Sequence, residues 1–379
     1  MPGMTVLRLI ADDLTGALDA GAPFVARTGP LPVRWTAPVP PPRPGASLVL
    51  DGGSRELAAG AAAEAAARLA PILTGAGLAF KKIDSLLRGH VALELDACLT
   101  AAAGGFAACV LAPAFPFQGR VTRGGRQHVR GRGGAWTPLA TDLAAELSAL
   151  GRPPVPVRRP DDLLRVEGGG IALCDAETDT DLAAIVVAGR RLGGPALWCG
   201  TGGLAAALAG DAPAPAPPPR PPLLIIVGSD HPVARRQLEV LVSMTARPVR
   251  IEAGDDAPGA TAARLRGALD GGPGLALLTF RLAPGATRAT AAAGIRERLA
   301  RVLPALDAPP PSGLIVTGGA TLLAAALAVD ADHLELHGQL MPGVPVSRVR
   351  GGPWDGVAVA SKSGAFGAPD LLARLAAPP

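Results

Sequence analysis

The stretch "TVLRLIADDLTGALDAG", residues 5–21, shows a pattern that recurs along the chain. A short apolar run ends in two carboxylates, Asp12 and Asp13, after which Thr15 and Gly16 begin a helix-like segment. The same order of apolar run, Gly or Asp, and helix follows in "GIALCDAET", "PALWCGTGG", "LLIIVGSD" and "GLIVTGGATLLAAAL". Short apolar runs that alternate with helices are typical of parallel strands covered on both faces. We therefore predict an α/β fold with largely parallel sheets.

The composition is that of a globular protein with a large core. Hydrophobic residues make up 49% of the 379 residues, and aromatic residues only 3%. The net charge of +4 is modest, and no basic run contains interleaved aromatics, so nucleic-acid binding is not favoured. No segment resembles a membrane span or a secretion signal, which predicts a cytoplasmic protein without a membrane partner. The oligomeric state is left open, and a homo-oligomer is among the alternatives.

A proline-rich run, "DAPAPAPPPRPP" at 211–222, divides the chain. Such a run predicts a stiff, extended linker because proline removes the backbone donor and fixes φ. We therefore predict a first domain at residues 1–210 and a second domain at residues 223–379. Both halves have the α/β pattern, and ligands of open α/β sheets bind beyond the carboxyl ends of the strands.

The four cysteines are widely spaced and include no C-x-x-C pair. We expect buried thiols rather than a metal or redox site, and the sequence identifies no metal ligands. They are Cys98, Cys109, Cys174 and Cys199.

Lysine is rare in this chain, and its positions are informative. Of 36 basic residues only Lys81, Lys82 and Lys362 are lysines, and the first two lie in "KKIDSLLRGH", residues 81–90. If arginine serves elsewhere, lysine remains where a compact ammonium is needed. In "DGGSRE", residues 51–56, Arg55 could hold a carboxylate, although a single arginine is more often a surface residue. Asp12 and Asp13 could likewise be only helix caps.

Another group of basic residues follows a strand in "APAFPFQGRVTRGGRQHV", residues 112–129. Arg120, Thr122, Arg123, Arg126 and His128 lie in this glycine-rich stretch. An anion-binding loop and an ordinary basic loop are equally consistent with it.

The second half has three glycine-rich segments beside apolar runs, "IIVGSDHP" (225–232), "IVTGGATLL" (315–323) and "ASKSGAFG" (360–367). Glycine lets backbone N–H groups approach phosphate oxygens. The three together predict a phosphate site, although no P-loop motif is present. The G-x-G-x-x-A at 200–205 is followed by the proline-rich linker instead of a second strand, which argues against dinucleotide binding there.

Taken in order, these motifs resemble the four-carbon acid sugar kinase family, once classified as a domain of unknown function. The resemblance rests on "ADDLTGALDAG", "KKIDSLLRGH", "PAFPFQGRVTRGG", "TGGATLLAAAL", "MPGVPVSRV" and "SKSGAFGAPDLL". It implies an ATP-dependent kinase that phosphorylates a tetronate or 3-oxo-tetronate, by default at the terminal hydroxyl. It also implies that the first domain binds the acid sugar, that the second binds ATP, and that the active site lies in the cleft between them.

The resemblance also implies roles for particular residues. Mg²⁺ would bridge the phosphates, and Lys362 and Ser363 are candidates for phosphate contacts. Asp12 or Asp84 would be the catalytic carboxylate, a choice that the sequence leaves open, and Arg55 and Lys82 would neutralise the carboxylate of the substrate. The implied substrate-binding residues are Asp12, Arg55, Lys82, Ile83, Asp84 and Ser85, and the implied ATP-binding residues are Ser229, Gly318, Gly319, Ala320, Thr321 and Gly364.

Two departures from the family pattern bear on ATP use. The chain has "GSDH" where a further Ser and Thr are usual, and "GGAT" where "GGET" is usual. One alternative is therefore a sensor that binds the acid sugar or nucleotide without turnover. Another is a different α/β sugar-phosphate enzyme in which Lys82 forms a Schiff base.

Overall fold

The structure is a computed structural model, and it describes residues 6–35, 45–131, 133–166, 168–210, 215–243, 248–254, 257–271, 273–281, 285–306 and 309–377. The chain divides into two compact units, residues 1–213 and 214–379. The boundary falls within the proline-rich segment. Each unit is described by itself.

The first unit has an eight-stranded sheet among its described residues, and all its strands pair in parallel. Strands β1 (Leu7–Ala11), β3 (Leu48–Asp51), β5 (Ala108–Ala112) and β10 (Ile171–Cys174) are buried along their whole length, as expected for a sheet covered on both faces. In spatial order the strands are β2 (Leu31–Trp35), β3 (Leu48–Asp51), β1 (Leu7–Ala11), β4 (Leu78–Lys82), β11 (Ala196–Gly200), β5 (Ala108–Ala112), β10 (Ile171–Cys174) and β9 (Val155–Val157).

Small residues let the helices of this unit pack closely. In α3 the residues that face the core are Ala62, Ala65 and Ala66, at the spacing of three and four expected for one helix face. The helices are α1 (Leu14–Gly21), α2 (Val25–Thr28), α3 (Ala59–Leu69), α4 (Val91–Ala101), α5 (Leu143–Ala149), α6 (Asp179–Gly189) and α7 (Gly202–Ala209).

The basic segment after β5 is a small antiparallel sheet instead of a loop. Its strands are β6 (Arg120–Arg123), β7 (Arg126–Arg130) and β8 (Trp136–Pro138). Gly124 and Gly125 both have positive φ, which suits the tight turn of a two-residue hairpin. The segment expected to be a loop is therefore a β-hairpin joined by a third strand.

The second unit has a seven-stranded mixed sheet among its described residues. Five strands are parallel in the order β13 (Val249–Ala253), β14 (Leu275–Phe280), β12 (Leu223–Val227), β15 (Gly313–Thr317) and β18 (Ala358–Lys362). β17 (Val344–Arg350) and β16 (His333–Met341) continue the sheet in antiparallel fashion. The helices are α8 (Pro232–Ser243), α9 (Pro258–Asp270), α10 (Arg288–Val302), α11 (Gly319–Ala328) and α12 (Leu371–Ala376). The predicted α/β class with largely parallel sheets is confirmed.

Part of the predicted linker packs against the second unit. Residues 211–214 lie outside the described residues, and residues 215–220 form neither helix nor strand. Ala216 is buried, and its N–H donates to the carbonyl of Gln339 at 3.1 Å. At Ala216 the linker is therefore anchored to the second unit.

The four cysteines are free and buried, as predicted. Burial raises the pKa of the Cys98 thiol to about 12, which keeps it protonated and unreactive. Within the described part of the chain, no helix combines the length and apolar character needed to cross a bilayer.

Candidate active site

Carboxylates gather at the carboxyl ends of three neighbouring strands of the first unit. Asp12 directly follows β1, Asp51 ends β3, and Asp84 comes two residues after β4. β1 pairs with both β3 and β4, so the carboxyl ends of the three strands lie side by side. All three side chains are buried. The sheet topology thus concentrates negative charge at the edge where ligands of α/β proteins bind.

Arg55 lies at the centre of this cluster. Its Nε and Nη2 donate to the two oxygens of Asp12 at 2.7 and 2.8 Å, a bidentate pair. Its Nη1 lies 2.5 Å from Asp13 Oδ2, and its Nη2 also lies 3.7 Å from Asp84 Oδ1. The guanidinium therefore faces three carboxylates of the protein itself.

Burial and charge act in opposite directions on the Asp12–Arg55 pair. Burial raises the pKa of Asp12 above its ordinary value, while Arg55 works against this rise. Burial alone would lower the pKa of Arg55, but Asp12, Asp13 and Asp84 together raise it. Because a guanidinium keeps its proton and donates to both oxygens, the pair is ionised, although burial makes Asp12 easier to protonate than an ordinary aspartate.

The pKa of Asp84 is shifted in the opposite direction from that of Asp12. It accepts bonds from the backbone N–H groups of Leu86 and Arg88 at 3.2 Å, and from Nε and Nη2 of Arg88 at 2.7 Å. Burial opposes ionisation, but Arg88, Arg55 and Lys82 outweigh it and lower the pKa of Asp84 well below its usual range. Asp84 is therefore a permanent negative charge with a weak tendency to accept a proton.

Asp13 serves mainly as a helix cap. Its Oδ1 accepts from Gly16 N at 2.8 Å, and its Oδ2 accepts from Thr15 Oγ1 at 2.7 Å. The cap interpretation is thus correct for Asp13 but not for Asp12, whose partner is Arg55.

The two adjacent lysines have different partners because successive strand residues point to opposite faces. Lys81 Nζ lies 2.6 Å from Glu94 Oε2 of α4, and both side chains are buried. Lys82 Nζ points towards α1, where a Cβ added to Gly16 would lie 3.0 Å from it. Lys81 therefore has a structural ion pair, and Lys82 faces the carboxylate cluster.

Lys82 is buried without a close counterion. Its Nζ donates to the carbonyl of Ile83 at 2.8 Å, and no carboxylate of the described residues lies within 4 Å. A buried amino group that lacks an ion pair suits an anionic ligand.

The other two residues of the predicted substrate segment have different surroundings. The Ile83 side chain belongs to the apolar core, and its N–H donates to Gly200 O at 2.9 Å. Its side chain is thus not available to a ligand. Ser85 is half-buried, and its carbonyl accepts from Gln127 Nε2 at 3.1 Å.

Sequence reasoning missed Asp51. Its Oδ1 accepts from Gly53 N at 2.8 Å, and burial raises its pKa to about 7, with Asp13 and Asp12 adding to the rise. The motif "DGGSRE" contains Asp51, but the pattern drew attention only to Arg55. The signal available was an acid at a strand end, as at Asp12.

In the second unit the three glycine-rich segments meet, as the sequence predicts for a phosphate site. A Cβ at Gly364 would collide with Ser229 Oγ, and one at Gly228 would collide with Thr321 Oγ1. Gly318 has φ +104 and brings its Cα within reach of Thr321 and Ser229. Glycine is therefore required here by close approach of the backbone.

The helix α11 begins at this point without a side-chain cap. Gly318 is its N-cap residue, and no side chain of the described residues accepts from the first N–H groups, which belong to Gly319, Ala320 and Thr321. Uncapped N–H groups at a helix start favour an anion. Ala320 is exposed, so the departure from "GGET" removes an acidic side chain that would face solvent.

Lys362 lies beside the same helix start. It ends β18, its carbonyl accepts from Gly318 N at 2.9 Å, and its Nζ donates to Ser363 O at 2.8 Å. Burial lowers its pKa to about 8. Lys82 and Lys362 thus share one arrangement, a buried lysine at a strand end bonded to the next carbonyl.

Other features of the described residues do not extend the site. No group of three or more His, Cys, Asp or Glu side chains there could hold a metal ion. A cavity of about 330 Å³ lies at the opposite ends of the strands, where Leu7, Leu78 and Ala196 begin β1, β4 and β11. None of the predicted site residues lines it.

Two family models match the chain, one in each unit. A family model described as a sugar-binding N-terminal domain matches residues 7–149, and one described as a nucleotide-binding C-terminal domain matches residues 224–372. A crystal structure of a Haemophilus influenzae protein matches with a TM-score of 0.71 at 20% identity, covering 98% of this chain and 99% of that one, which supports the fold.

Two curated relatives extend over nearly the whole chain. A D-threonate kinase of Cupriavidus necator is 36% identical and covers 96% of this chain and 95% of that protein. A D-threonate kinase of Bordetella bronchiseptica is 31% identical and covers 99% and 97%. From these matches, the chain belongs to the four-carbon acid sugar kinase family.

Proposed function

We propose that the protein transfers the γ-phosphate of ATP to a hydroxyl of a four-carbon sugar acid, with D-threonate the first substrate to test. The observation that carries the proposal is the buried cluster of Asp12, Arg55 and Asp84 beside Lys82, which lacks a close counterion. The names of the two curated relatives support it.

Asp12 is the carboxylate that accepts the proton of the attacking hydroxyl. A general base works best when its pKa is not far below the working pH. Burial raises the pKa of Asp12, whereas Arg88, Arg55 and Lys82 keep the pKa of Asp84 low. Asp84 instead accepts hydrogen bonds from substrate hydroxyls and fixes their position.

Lys82 neutralises negative charge next to Asp12. Phosphoryl transfer depends on positioning and charge stabilisation more than on covalent catalysis. Lys82 is buried and lies on the face of the sheet that carries α1, so its charge acts in a site with little water.

ATP supplies the phosphoryl group, and the residues of the second unit fit its phosphates. The uncapped start of α11, the glycines at 228, 318 and 364, and Lys362 all suit an anion. Mg²⁺ would enter bound to the phosphates, and we assign no residue to it.

The test is ADP release with Mg-ATP and the D- and L-isomers of threonate and erythronate and their 3-oxo forms. We expect turnover on one of them, and a fall in kcat of about 10²–10⁴-fold in Asp12→Asn. Lys82→Ala and Asp84→Ala should also lose activity. Asp96→Asn is the matched control, because Asp96 pairs with Arg152 away from the cluster.

Two outcomes would contradict the proposal. If no acid in the panel releases ADP although both ligands bind, the protein is a sensor. If borohydride traps substrate on Lys82, the Schiff-base chemistry is correct instead.

A further inference from the structure

The carboxylate of the sugar acid needs a cationic partner, and Arg55 is poorly placed for it. All three of its nitrogens already face carboxylates of Asp12, Asp13 or Asp84. A substrate carboxylate would have to displace one of these, at the cost of a bidentate pair. Lys82 acts next to Asp12, at the reacting end of the substrate, so the carboxylate at the other end needs a different cation.

Arg120 is a half-buried cation without an acidic partner. Its Nη1 donates to the carbonyl and to Oε1 of Gln118 at 2.8 and 2.6 Å. Its Nε is buried without a hydrogen-bond partner, and no carboxylate of the described residues lies within 4 Å. A buried donor left unpaired is costly, so a group that pairs with it upon binding gains affinity.

The position of Arg120 relative to Asp84 is fixed by a buried glutamine. Gln127 of β7 donates from Nε2 to Ser85 O at 3.1 Å and to Pro113 O at 2.9 Å. Its Oε1 accepts from Thr122 Oγ1 of β6 at 2.8 Å. The hairpin that begins at Arg120 is thus bonded to the loop that carries Asp84.

The charges at this end of the cluster do not balance. Burial lowers the pKa of Arg120, Asp84 raises it and Arg88 lowers it, so the three groups lie close enough to interact. Arg88 is paired with Asp84 through Nε and Nη2. Arg88 thus neutralises Asp84, and the charge of Arg120, which has no carboxylate of the described residues within 4 Å, is left to attract an anion.

We propose that Arg120, with Arg88 beside it, binds the carboxylate of the sugar acid and so directs the far end of the substrate towards Asp12. This inference rests on the proposed function and adds the orientation of the substrate. Arg55 links the two ends, because it contacts both Asp84 and Asp12. Hydroxyls between the ends would lie along Asp84. Sugar acids would bind in preference to the corresponding neutral polyols.

The test is calorimetric binding of D-threonate and of its neutral amide, D-threonamide, to the wild type and to Arg120→Gln. The variant should weaken binding of the acid by about 10- to 100-fold and of the amide by less than about twofold. Arg120→Lys, which keeps the charge but not the fork, should fall between. Arg130→Gln removes the same charge from an exposed position of the same small sheet and should change neither affinity.

Each outcome has a separate meaning. Equal weakening of acid and amide, or no weakening of the acid, would overturn the role of Arg120 and leave the proposed function intact. If the wild type binds no sugar acid of the panel, the proposed function fails and this inference fails with it. A melting temperature measured for each variant separates loss of binding from loss of folding.

Discussion

Replacing Lys81 by methionine should lower stability and spare activity, whereas replacing Lys82 by methionine should spare stability and abolish activity. Lys81→Met removes the partner of Glu94, which lies 2.6 Å away with both side chains buried. At an effective dielectric constant of about 20 the lost attraction is about 6 kcal/mol. The stranded carboxylate limits this loss by taking up a proton. For a glutamic acid side chain with an ordinary unfolded pKa, that costs about 4 kcal/mol at pH 7 and about 1 kcal/mol at pH 5.

The free energy of unfolding of Lys81→Met should therefore fall by about 4 kcal/mol at pH 7 but by only about 1 kcal/mol at pH 5. The loss is larger at pH 7 because the folded variant must keep Glu94 neutral, whereas the unfolded chain carries that carboxylate in its charged form at this pH. Urea unfolding followed by tryptophan fluorescence measures this, since Trp198 lies on β11 beside β4. The rate of ADP release should stay within about twofold of the wild type, because Lys81 lies outside the site.

Lys82→Met is the matched control on the opposite face of the strand. It leaves no close carboxylate unpaired, so its stability should change by less than about 1 kcal/mol while ADP release is lost. In the double variant Lys81→Met/Glu94→Met, most of the lost stability should return. Equal destabilisation of Lys81→Met at pH 5 and pH 7 would refute the reasoning, because a cavity and not an unpaired charge would then cause the loss.

Three further predictions concern pH and glycine. Between pH 4 and 7 the contribution of Asp51 to the free energy of unfolding should fall by about 3 kcal/mol, because folded Asp51, with its pKa raised to about 7, keeps a proton that the unfolded chain releases; urea unfolding of Asp51→Asn should lack this part of the slope. ATP affinity measured by calorimetry should weaken above pH 8 as Lys362 loses its proton, whereas Lys362→Arg should show no such fall. Gly364→Ala should weaken ATP binding at least about tenfold, because the new Cβ meets Ser229 Oγ, without changing threonate affinity. Gly267→Ala, in open space on a helix, is its control; equal effects of the two alanines would contradict the prediction.

Much of the fold follows from local patterns in the sequence. Fully apolar runs such as "LLIIV" form strands covered on both faces, and the Gly or Asp after each run marks where a strand ends. Because parallel strands place these ends at one edge, Asp12, Lys82 and Asp84 could be proposed as candidate site residues before any contact was known. The glycine-rich segments that contain Gly318 and Gly364 were predicted to form a phosphate site, and this stays a prediction.

What the side chains contact depended on the tertiary structure. The sequence alone does not distinguish Lys81 from Lys82. Lys81 pairs with Glu94 because its side chain points to the face of the sheet that α4 covers. From the sequence, Arg55 was expected to bind the carboxylate of a ligand. In the fold its guanidinium faces Asp12, Asp13 and Asp84 instead. The sequence by itself thus determined which residues reach the edge of the sheet. Their partners come from segments distant in the chain, so pairing, burial and pKa were decided only when those segments packed together.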